Sequence, residues 1–293
     1  MSDYEIEKYK EEYIDDQVKI GKEVSKEWNY YGQTDVEGLK QAYSQDTFDP
    51  DTRLYCFKEG KMVSFVTSQI LPMGEDGIKS ASIRFPLSLP GHEEVFDLLM
   101  NEIFKVLTEK EVQTIVANIT DSWGDFPKKA IEYGFEKISD AGKILEIKVE
   151  DLEIIEGYEQ VKPYDKEKDL EELTEIFVRE LNMTEEQAKQ NFELIDTHES
   201  VIAHLVLRDE GKIVARTYMA NTQEEERKQL GYIYSTDSNY QNILLSKIAE
   251  ICKEKGVKKL QVALFGNLLP TLEIYLNLGF ELKATTERFE KKL

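Results

Sequence analysis

Cysteine and histidine, the residues that most often support metal binding or nucleophilic catalysis, are scarce in this chain. Its 293 residues include two cysteines and three histidines. Neither Cys56 nor Cys252 belongs to a CxxC pair, and His92, His198 and His204 have no metal-ligand spacing. The sequence therefore predicts no metal site, and both cysteines are expected to be small buried side chains in a reducing compartment.

A helix predicted to start near residue 239 offers a different kind of site. The start of a helix presents unpaired N–H groups and the positive end of the helix dipole, which together can bind an anion. Ser238 and Asn239 leave room for an anion there, or serve only as helix caps, whereas Asp237 disfavours an anion. The neutral polar residues of this segment are Ser235, Thr236, Ser238, Asn239, Tyr240 and Gln241.

A second predicted helix start, after Gly91, carries two carboxylates. Glu93 and Glu94 fall in the first helical turn, where their charges compensate the helix dipole and repel an anion. The sequence therefore predicts that this helix start binds anions poorly.

Both helix starts belong to an internal repeat. Three short segments recur in the same order, at offsets of about 145 to 155 residues, which indicates a duplicated domain. The matched segments are Tyr4–Tyr9 with Tyr158–Tyr164, Glu59–Val63 with Glu210–Val214, and Glu132–Glu136 with Asn277–Glu281. We therefore expect one domain over residues 1–150 and a second over residues 151–293, with the acidic connector Glu150–Gly157 at the boundary.

Hydrophobic periodicity and turn residues place the elements of the second copy. The predicted helices are Asp169–Leu181, Asn239–Lys255 and Leu268–Leu278, and the predicted strands are Val201–Arg208, Ile213–Asn221, Leu230–Ser235, Lys259–Phe265 and Phe280–Phe289. Gly256 and Gly279 are expected to end the last two helices.

This order of elements resembles the GNAT superfamily of N-acetyltransferases in both copies. The block Lys255–Val262, which leads through Asn267 to the segment Tyr275–Glu281, carries the resemblance best. The resemblance covers nearly the whole chain and implies an α/β (mixed α+β) fold class: two tandem GNAT-like domains, each a mixed, mostly antiparallel sheet flanked by helices. Neither copy has the family's Arg/Gln-x-x-Gly-x-Gly/Ala loop, so the loops that bind coenzyme A are degenerate.

The resemblance assigns roles to the residues of the second copy. In the family, acetyl-CoA lies in a gap between two splayed strands and its pyrophosphate is held at the following helix start. That start corresponds here to Ser235, Thr236, Ser238, Asn239, Tyr240 and Gln241, the implied cofactor-binding residues.

Tyr275 matches the tyrosine that, in many members of the family, protonates the departing thiolate of coenzyme A, and a phenol near pKa 10 suits that task. Alternatively, Tyr275 is a core aromatic packed with Leu272 and Leu276. The first copy has Ala130 at this place. Asn267 either lies near the pantetheine arm or caps its helix.

No residue is identified as the general base. The acidic run Gln223–Glu226 is interpreted as the solvated tip of a hairpin.

Charge and composition exclude several classes of partner. With 41% hydrophobic residues and a formal net charge of −21, the chain is globular, and a nucleic-acid backbone would be repelled. No apolar stretch approaches the roughly 20 residues of a membrane span, and the segment Met1–Glu5 does not resemble the start of a secretory signal. We expect a cytoplasmic protein, monomeric or oligomeric, whose acidic surface suits a cationic amine.

The resemblance implies an N-acyltransferase that moves an acetyl or short acyl group from acyl-CoA to a primary amine of a small molecule or peptide. The second domain would be catalytic and the first a degenerate partner that helps to shape the substrate groove. The alternative is a non-catalytic tandem GNAT-fold binding protein whose coenzyme A sites have decayed. A tRNA-dependent aminoacyl or peptidyl transferase is disfavoured by the charge. The acceptor and the acyl chain length stay open.

Overall fold

The chain divides into two compact units in the computed structural model, which describes residues 3–74, 77–222 and 224–293. The first unit comprises Met1–Ala141 together with Thr285–Leu293, and the second comprises Gly142–Ala284. Met1 and Ser2 of the N-terminal segment, and Gln223 of the acidic run, lie outside the described residues.

The described residues of the first unit form four α-helices and a set of strands. Its helices are α1 (Ile14–Val24), α2 (Val36–Tyr43), α3 (Val95–Glu109) and α4 (Phe126–Glu132). Its strands begin with β1 (Tyr4–Lys8), β2 (Arg53–Lys58), β3 (Lys61–Ile70), β4 (Ser80–Ser88) and β5 (Thr114–Thr120), and β6 (Glu136–Lys148) follows them in the chain.

The second unit repeats this order. Its helices are α5 (Lys166–Leu181), α6 (Glu185–Thr197), α7 (Ser238–Glu254) and α8 (Leu272–Asn277). Its strands are β7 (Lys162–Pro163), β8 (Val201–Asp209), β9 (Lys212–Asn221), β10 (Arg227–Leu230), β11 (Tyr234–Ser235) and β12 (Lys259–Phe265), and the last strand of the chain is β13 (Glu281–Lys292).

The two units have the same sheet topology. In the first the strand order is β1-β2-β3-β4-β5-β13, and in the second it is β7-β8-β9-β10-β12-β6. One neighbouring pair in each is parallel, β4 with β5 and β10 with β12, and the other pairs are antiparallel. The predicted fold class, a mixed and mostly antiparallel sheet flanked by helices in two copies, is confirmed.

Each unit receives its last strand from the other half of the chain. Residues 286–292 of β13 pair with β5 over its full length, whereas residues 142–148 of β6 pair with β12. Relative to the expected domains 1–150 and 151–293, the compact units therefore exchange these two segments. Periodicity identifies a strand but does not say which sheet edge it joins, because a hydrogen-bonding edge accepts any strand of suitable pattern.

The core of the second unit lies on both faces of its sheet. The apolar face of α7 covers one face, and Leu244, Ile248 and Cys252 are all fully buried there. Helices α5 and α6 cover the other face around Phe177 and Phe192. Cys56 and Cys252 are both buried thiols, as expected.

Candidate active site

The two parallel strands of the second unit separate after a short ladder. Within the range 224–293, β10 pairs with β12 only from Arg227–Gln229 to Lys259–Gln261, although β12 continues to Phe265. The chain of β10 then bends at Gly231 and resumes as β11 against β9. A Cβ at Gly231 would lie 2.0 Å from the ring of Tyr218, so the bend requires glycine. Among these residues the second half of β12 therefore has no ladder with β10, and we call this place between β11 and β12 the strand opening.

Tyr275 lies at this opening and is fully buried. The backbone N–H of Ile233, in the bend between β10 and β11, donates a hydrogen bond to the Tyr275 hydroxyl oxygen (3.0 Å). Burial raises the pKa of this phenol well above its ordinary value, so it stays protonated at neutral pH. Since its oxygen is the acceptor of this bond, its own proton remains available to another acceptor.

Tyr275 is part of the core of the second unit, and Leu272 packs against the same core. The ring of Tyr275 meets Phe280 edge-on, with centroids 5.6 Å apart, while Leu276 is 38% exposed. The side chain thus belongs to the core and also presents a polar group at the strand opening. Both readings of the residue therefore remain compatible with its position.

The backbone N–H groups at the start of α7 already bind a carboxylate of the chain, that of Asp237. Asp237 is the N-cap and accepts hydrogen bonds from the backbone N–H groups of Asn239 (2.8 Å) and Tyr240 (3.0 Å). The Ser235 hydroxyl donates to the Asp237 carbonyl oxygen (2.5 Å), and the Tyr240 hydroxyl donates to Asp209. Ser235, Thr236 and Ser238–Gln241 are adjacent, but an anion at this helix start would have to displace Asp237.

The start of α3 in the first unit also carries carboxylates, although no described side chain caps this helix. The backbone N–H of Gly91 donates to Glu93 (2.9 Å), and the Tyr4 hydroxyl donates to Glu94 (2.6 Å). Hydrogen bonds to backbone N–H groups lower the pKa of Glu93, and the bond from Tyr4 lowers that of Glu94. Both side chains are thus held as carboxylates, which disfavours an incoming phosphate.

The position that corresponds to Tyr275 in the first unit is apolar. Ala130 is fully buried there, and the hydroxyl of Tyr133 donates instead to Asp97 on α3. No phenol of α4 therefore points toward the strands of that unit in the way Tyr275 does in the second.

Asn267 has a partner other than those expected. Its amide nitrogen donates to the carbonyl oxygen of Leu181, at the end of α5 (3.0 Å). The turn Gly266–Thr271 has Phe265 as its N-cap residue, and α8 has Thr271. The helix-cap interpretation of Asn267 is therefore wrong, and the side chain ties the turn before α8 to α5.

The sequence reasoning missed a buried polar cluster on the α5–α6 face. Arg216 of β9 is fully buried, and its Nε–H donates to Nε2 of His204 on β8 (2.9 Å). The Nδ1 atom of His204 lies 3.2 Å from a carboxylate oxygen of Asp196, and the His204 ring stacks on Tyr164 with centroids 4.1 Å apart. The available signal was a single charged residue, an arginine, inside a largely apolar strand, Ile213–Ala220.

Part of this cluster reaches a surface groove. Tyr164, Asp196 and His204 line a groove of about 740 Å³ within the second unit, beside β7, β8 and α7.

Within the described ranges, no set of three or more histidine, cysteine or acidic residues could hold a metal ion. The same ranges contain no helix with the length and apolar composition of a membrane span.

Known structures resemble the whole chain. No protein-family model matches it, and no curated protein matches it either. A tandem GNAT protein from the clavulanic acid biosynthesis pathway superposes with a TM-score of 0.67 at 13% identity, covering 99% of this chain and 98% of that one. A GCN5-related N-acetyltransferase from Sphaerobacter thermophilus gives a TM-score of 0.65 at 12% identity, covering 100% and 96%. The chain has a tandem GNAT fold.

A less similar structure was solved with a bound ligand. The N-myristoyltransferase of Saccharomyces cerevisiae, solved with myristoyl-CoA, superposes with a TM-score of 0.52 at 12% identity, covering 99% of this chain and 79% of that one. At such identities the similarity establishes the tandem GNAT fold, and the chemistry must be argued from this chain's own residues.

Proposed function

We propose that the second unit is an acyl-CoA-dependent N-acyltransferase. It would transfer an acetyl or short acyl group to a primary amine of a small molecule or peptide, with acetyl-CoA as the co-substrate and the cytoplasm as the compartment. The observation that carries the proposal is the pairing of the Ile233 N–H with the Tyr275 hydroxyl where β10 and β12 separate. It brings a backbone donor and a proton donor together in a buried place.

The Tyr275 hydroxyl suits the charge that develops on sulfur in acyl transfer. When an amine attacks a thioester, the C–N bond forms, the carbonyl oxygen becomes negative, and the C–S bond then breaks to release a thiolate. The Ile233 N–H already donates to the Tyr275 oxygen, so its role is to hold the phenol in place. The Tyr275 hydroxyl would give its proton to the thiolate. The proton lost by the amine goes to water or to a base that we leave unassigned.

The helix start fits coenzyme A less well than the strand opening does. The amides of Asn239 and Tyr240, the proposed donors to the pyrophosphate, already bind Asp237, and no glycine pair eases the approach. Ser235, Thr236, Ser238, Gln241 and Asn267 remain proposed contacts. We therefore expect acetyl-CoA to bind the second unit weakly, and the first unit more weakly still, because Glu93 and Glu94 are fixed there as carboxylates.

Replacing Tyr275 by phenylalanine tests the assignment. The substitution removes one proton donor and keeps the packed ring, so turnover should fall by about 10²-fold while the Kd of acetyl-CoA changes little. A thiol-release assay on the full chain, with polyamines, amino sugars and peptides as acceptors, measures turnover, and calorimetry measures the Kd. Tyr133→Phe in the first unit is the matched control and should keep the wild-type rate. Wild-type turnover by Tyr275→Phe would contradict the role of Tyr275.

A non-catalytic binding protein is the second candidate. Carboxylates at both helix starts favour it, since the charge of Asp237 at α7 and the charges of Glu93 and Glu94 beside α3 oppose a pyrophosphate. No turnover with any acceptor, together with no change of Tm on addition of acetyl-CoA, would support this candidate over the enzyme.

A further inference from the structure

Arg216 is a buried cation, and one nitrogen of its guanidinium has no hydrogen-bond partner among the described residues. Its side chain is fully buried, its Nη2 atom has no hydrogen-bond partner, and it forms no ion pair with any described residue. Aromatic rings surround the guanidinium: its central carbon lies 5.2 Å from the ring centre of Phe177, 5.1 Å from that of Phe192 and 5.3 Å from that of Tyr218. Buried charges in proteins are normally paired, so this arrangement calls for an anion.

The neighbouring groups do not supply that anion directly. Burial, and then the charge of Arg216, lower the pKa of His204 to about 2, so the imidazole is neutral. Because its Nε2 accepts from Arg216, its proton is on Nδ1 and points to Asp196. The imidazole of His204 therefore lies between the guanidinium and Asp196, the only carboxylate of the cluster. Burial lowers the pKa of Arg216 to about 10, which leaves it charged at neutral pH.

The fold itself does not require a cation at this position. In the first unit, Phe65 of β3 lies opposite Tyr55 and Leu87. In the second, Arg216 of β9 lies opposite Val206 and Tyr234. Phe65 and Arg216 follow the same Glu-Gly-Lys turn at the same distance and occupy equivalent positions in their sheets. One copy thus has a buried phenylalanine where the other has a buried arginine. A difference confined to the unit with the proposed active site points to a ligand.

Arg216 is also close to the proposed site of acyl transfer. Its cross-strand neighbour, Tyr234, directly follows Ile233, whose N–H binds the Tyr275 hydroxyl. Residues paired in an antiparallel ladder have Cα atoms only about 5 Å apart. Tyr275 and Arg216 each influence the pKa of the other, in keeping with this proximity.

We propose that Arg216 binds the carboxylate of the acceptor, so that the substrate is an amine that also carries a carboxylate, such as an amino acid. The acceptance of an acyl group by that amine rests on the proposed function, whereas the binding of the carboxylate does not. A guanidinium and a carboxylate match in shape and form paired charge-assisted hydrogen bonds. Since Arg216 is fully buried, Phe177 or Phe192 moves aside when the ligand enters.

Matched pairs of amino acids and their decarboxylated amines test this anchor on the full chain. The pairs are lysine with cadaverine, histidine with histamine, and phenylalanine with phenethylamine. Calorimetry and thermal denaturation should show that at least one amino acid binds ten times more tightly than its amine, or better. Arg216→Met should abolish that preference and keep or raise Tm, because a buried cation is replaced by an apolar chain of similar length. Arg179→Met, at an arginine that is 60% exposed on α5, is the control and should keep the preference.

A second variant covers the case in which Arg216→Met does not fold. Arg216→Lys keeps the charge but loses the planar fork, and it should weaken binding of the amino acid at least tenfold. The anchor is overturned if no amino acid binds, if the paired compounds bind equally, or if Arg216→Lys and any folded Arg216→Met keep the preference.

The thiol-release assay separates this proposal from the proposed function. Equal transfer to lysine and cadaverine would refute the anchor and leave the acyltransferase intact. Binding that depends on the carboxylate and on Arg216, without any acyl transfer, would support the anchor and refute the acyltransferase.

Discussion

His204 has a charge state set by its immediate neighbours. The guanidinium of Arg216 lies on one side of the ring and the carboxylate of Asp196 on the other, with Tyr164 stacked on its face and the ring of Phe192 roughly parallel to it. The side chain is 8% exposed, so a second positive charge next to Arg216 would be poorly solvated. The imidazole thus works as a neutral acceptor rather than as a cation.

This environment predicts a pH dependence of stability. The folded-state pKa of about 2 lies below the unfolded value near 6.5, so the unfolded state binds one more proton between these pH values and stability falls as the pH falls. From pH 7 to pH 5 the loss due to His204 should be about 2 kcal/mol. Urea unfolding at both pH values measures it. His204→Gln, which keeps an acceptor for Arg216 and cannot titrate, should show a smaller loss, and identical losses in the two proteins would contradict the assignment.

The helix starts decide how well each unit can hold a phosphate. In α7 the cap is Asp237, whose carboxylate satisfies two amides and brings a negative charge to the place where the pyrophosphate of coenzyme A would lie. Asparagine caps helices about as well as aspartate does, but without the charge. A single substitution, Asp237→Asn, can therefore change anion binding while it keeps the helix cap.

Asp237→Asn should raise the affinity for acetyl-CoA about tenfold with little change in Tm, because it removes a repulsion of roughly 1 to 2 kcal/mol and keeps the cap. Calorimetry with acetyl-CoA measures the change. Glu273→Gln makes the same charge change in the first turn of α8 and should leave the affinity unaltered. An unchanged Kd for Asp237→Asn would exclude this helix start as the pyrophosphate site.

The elements that the sequence predicted well are those with strong periodicity. The helix expected over Asn239–Lys255 is α7 (Ser238–Glu254), since its apolar stripe and Gly256 define it locally. The single strand expected over Leu230–Ser235 is instead β10 and β11 on either side of a bend, because the ring of Tyr218 packs against Gly231. That contact joins distant residues and has no local pattern.

Parts of the site also could not be predicted from a local sequence pattern. Tyr275 was found through the family resemblance, but its bond to the Ile233 N–H depends on the bend between β10 and β11. Arg216 stands in a largely apolar strand, and only the fold shows that His204 and three aromatic rings enclose it.

At the scale of the whole molecule, the exchange of terminal strands makes the stability of each unit depend on a distant part of the chain. Phe289 of β13 is buried in the core of the first unit, next to seven residues of β5 that pair with β13. Both tryptophans, Trp28 and Trp123, also belong to that unit. Tryptophan emission therefore reports on the first unit alone.

Removal of residues 285–293 should unfold the first unit selectively, because it empties the position of Phe289 and exposes the edge of β5. The tryptophan emission should shift to the red, while limited proteolysis should leave residues 142–284 protected. Addition of a peptide with the sequence of residues 285–293 should reverse the shift. Wild-type emission and Tm in the truncated chain would show that β13 is dispensable for the first unit.

The pairing of β5 with β13 also sets an order of events during translation. Thr120 and Thr286 exchange a hydrogen bond between side chains 166 residues apart in the chain. At the usual speed of a ribosome, roughly 10 to 30 s pass between the synthesis of these two residues. Throughout that interval the N-terminal part of the nascent chain has β5 without its final neighbour, an unpaired edge to which other strands can add. The sheet of the first unit therefore cannot be completed until the last residues of β13 have been made.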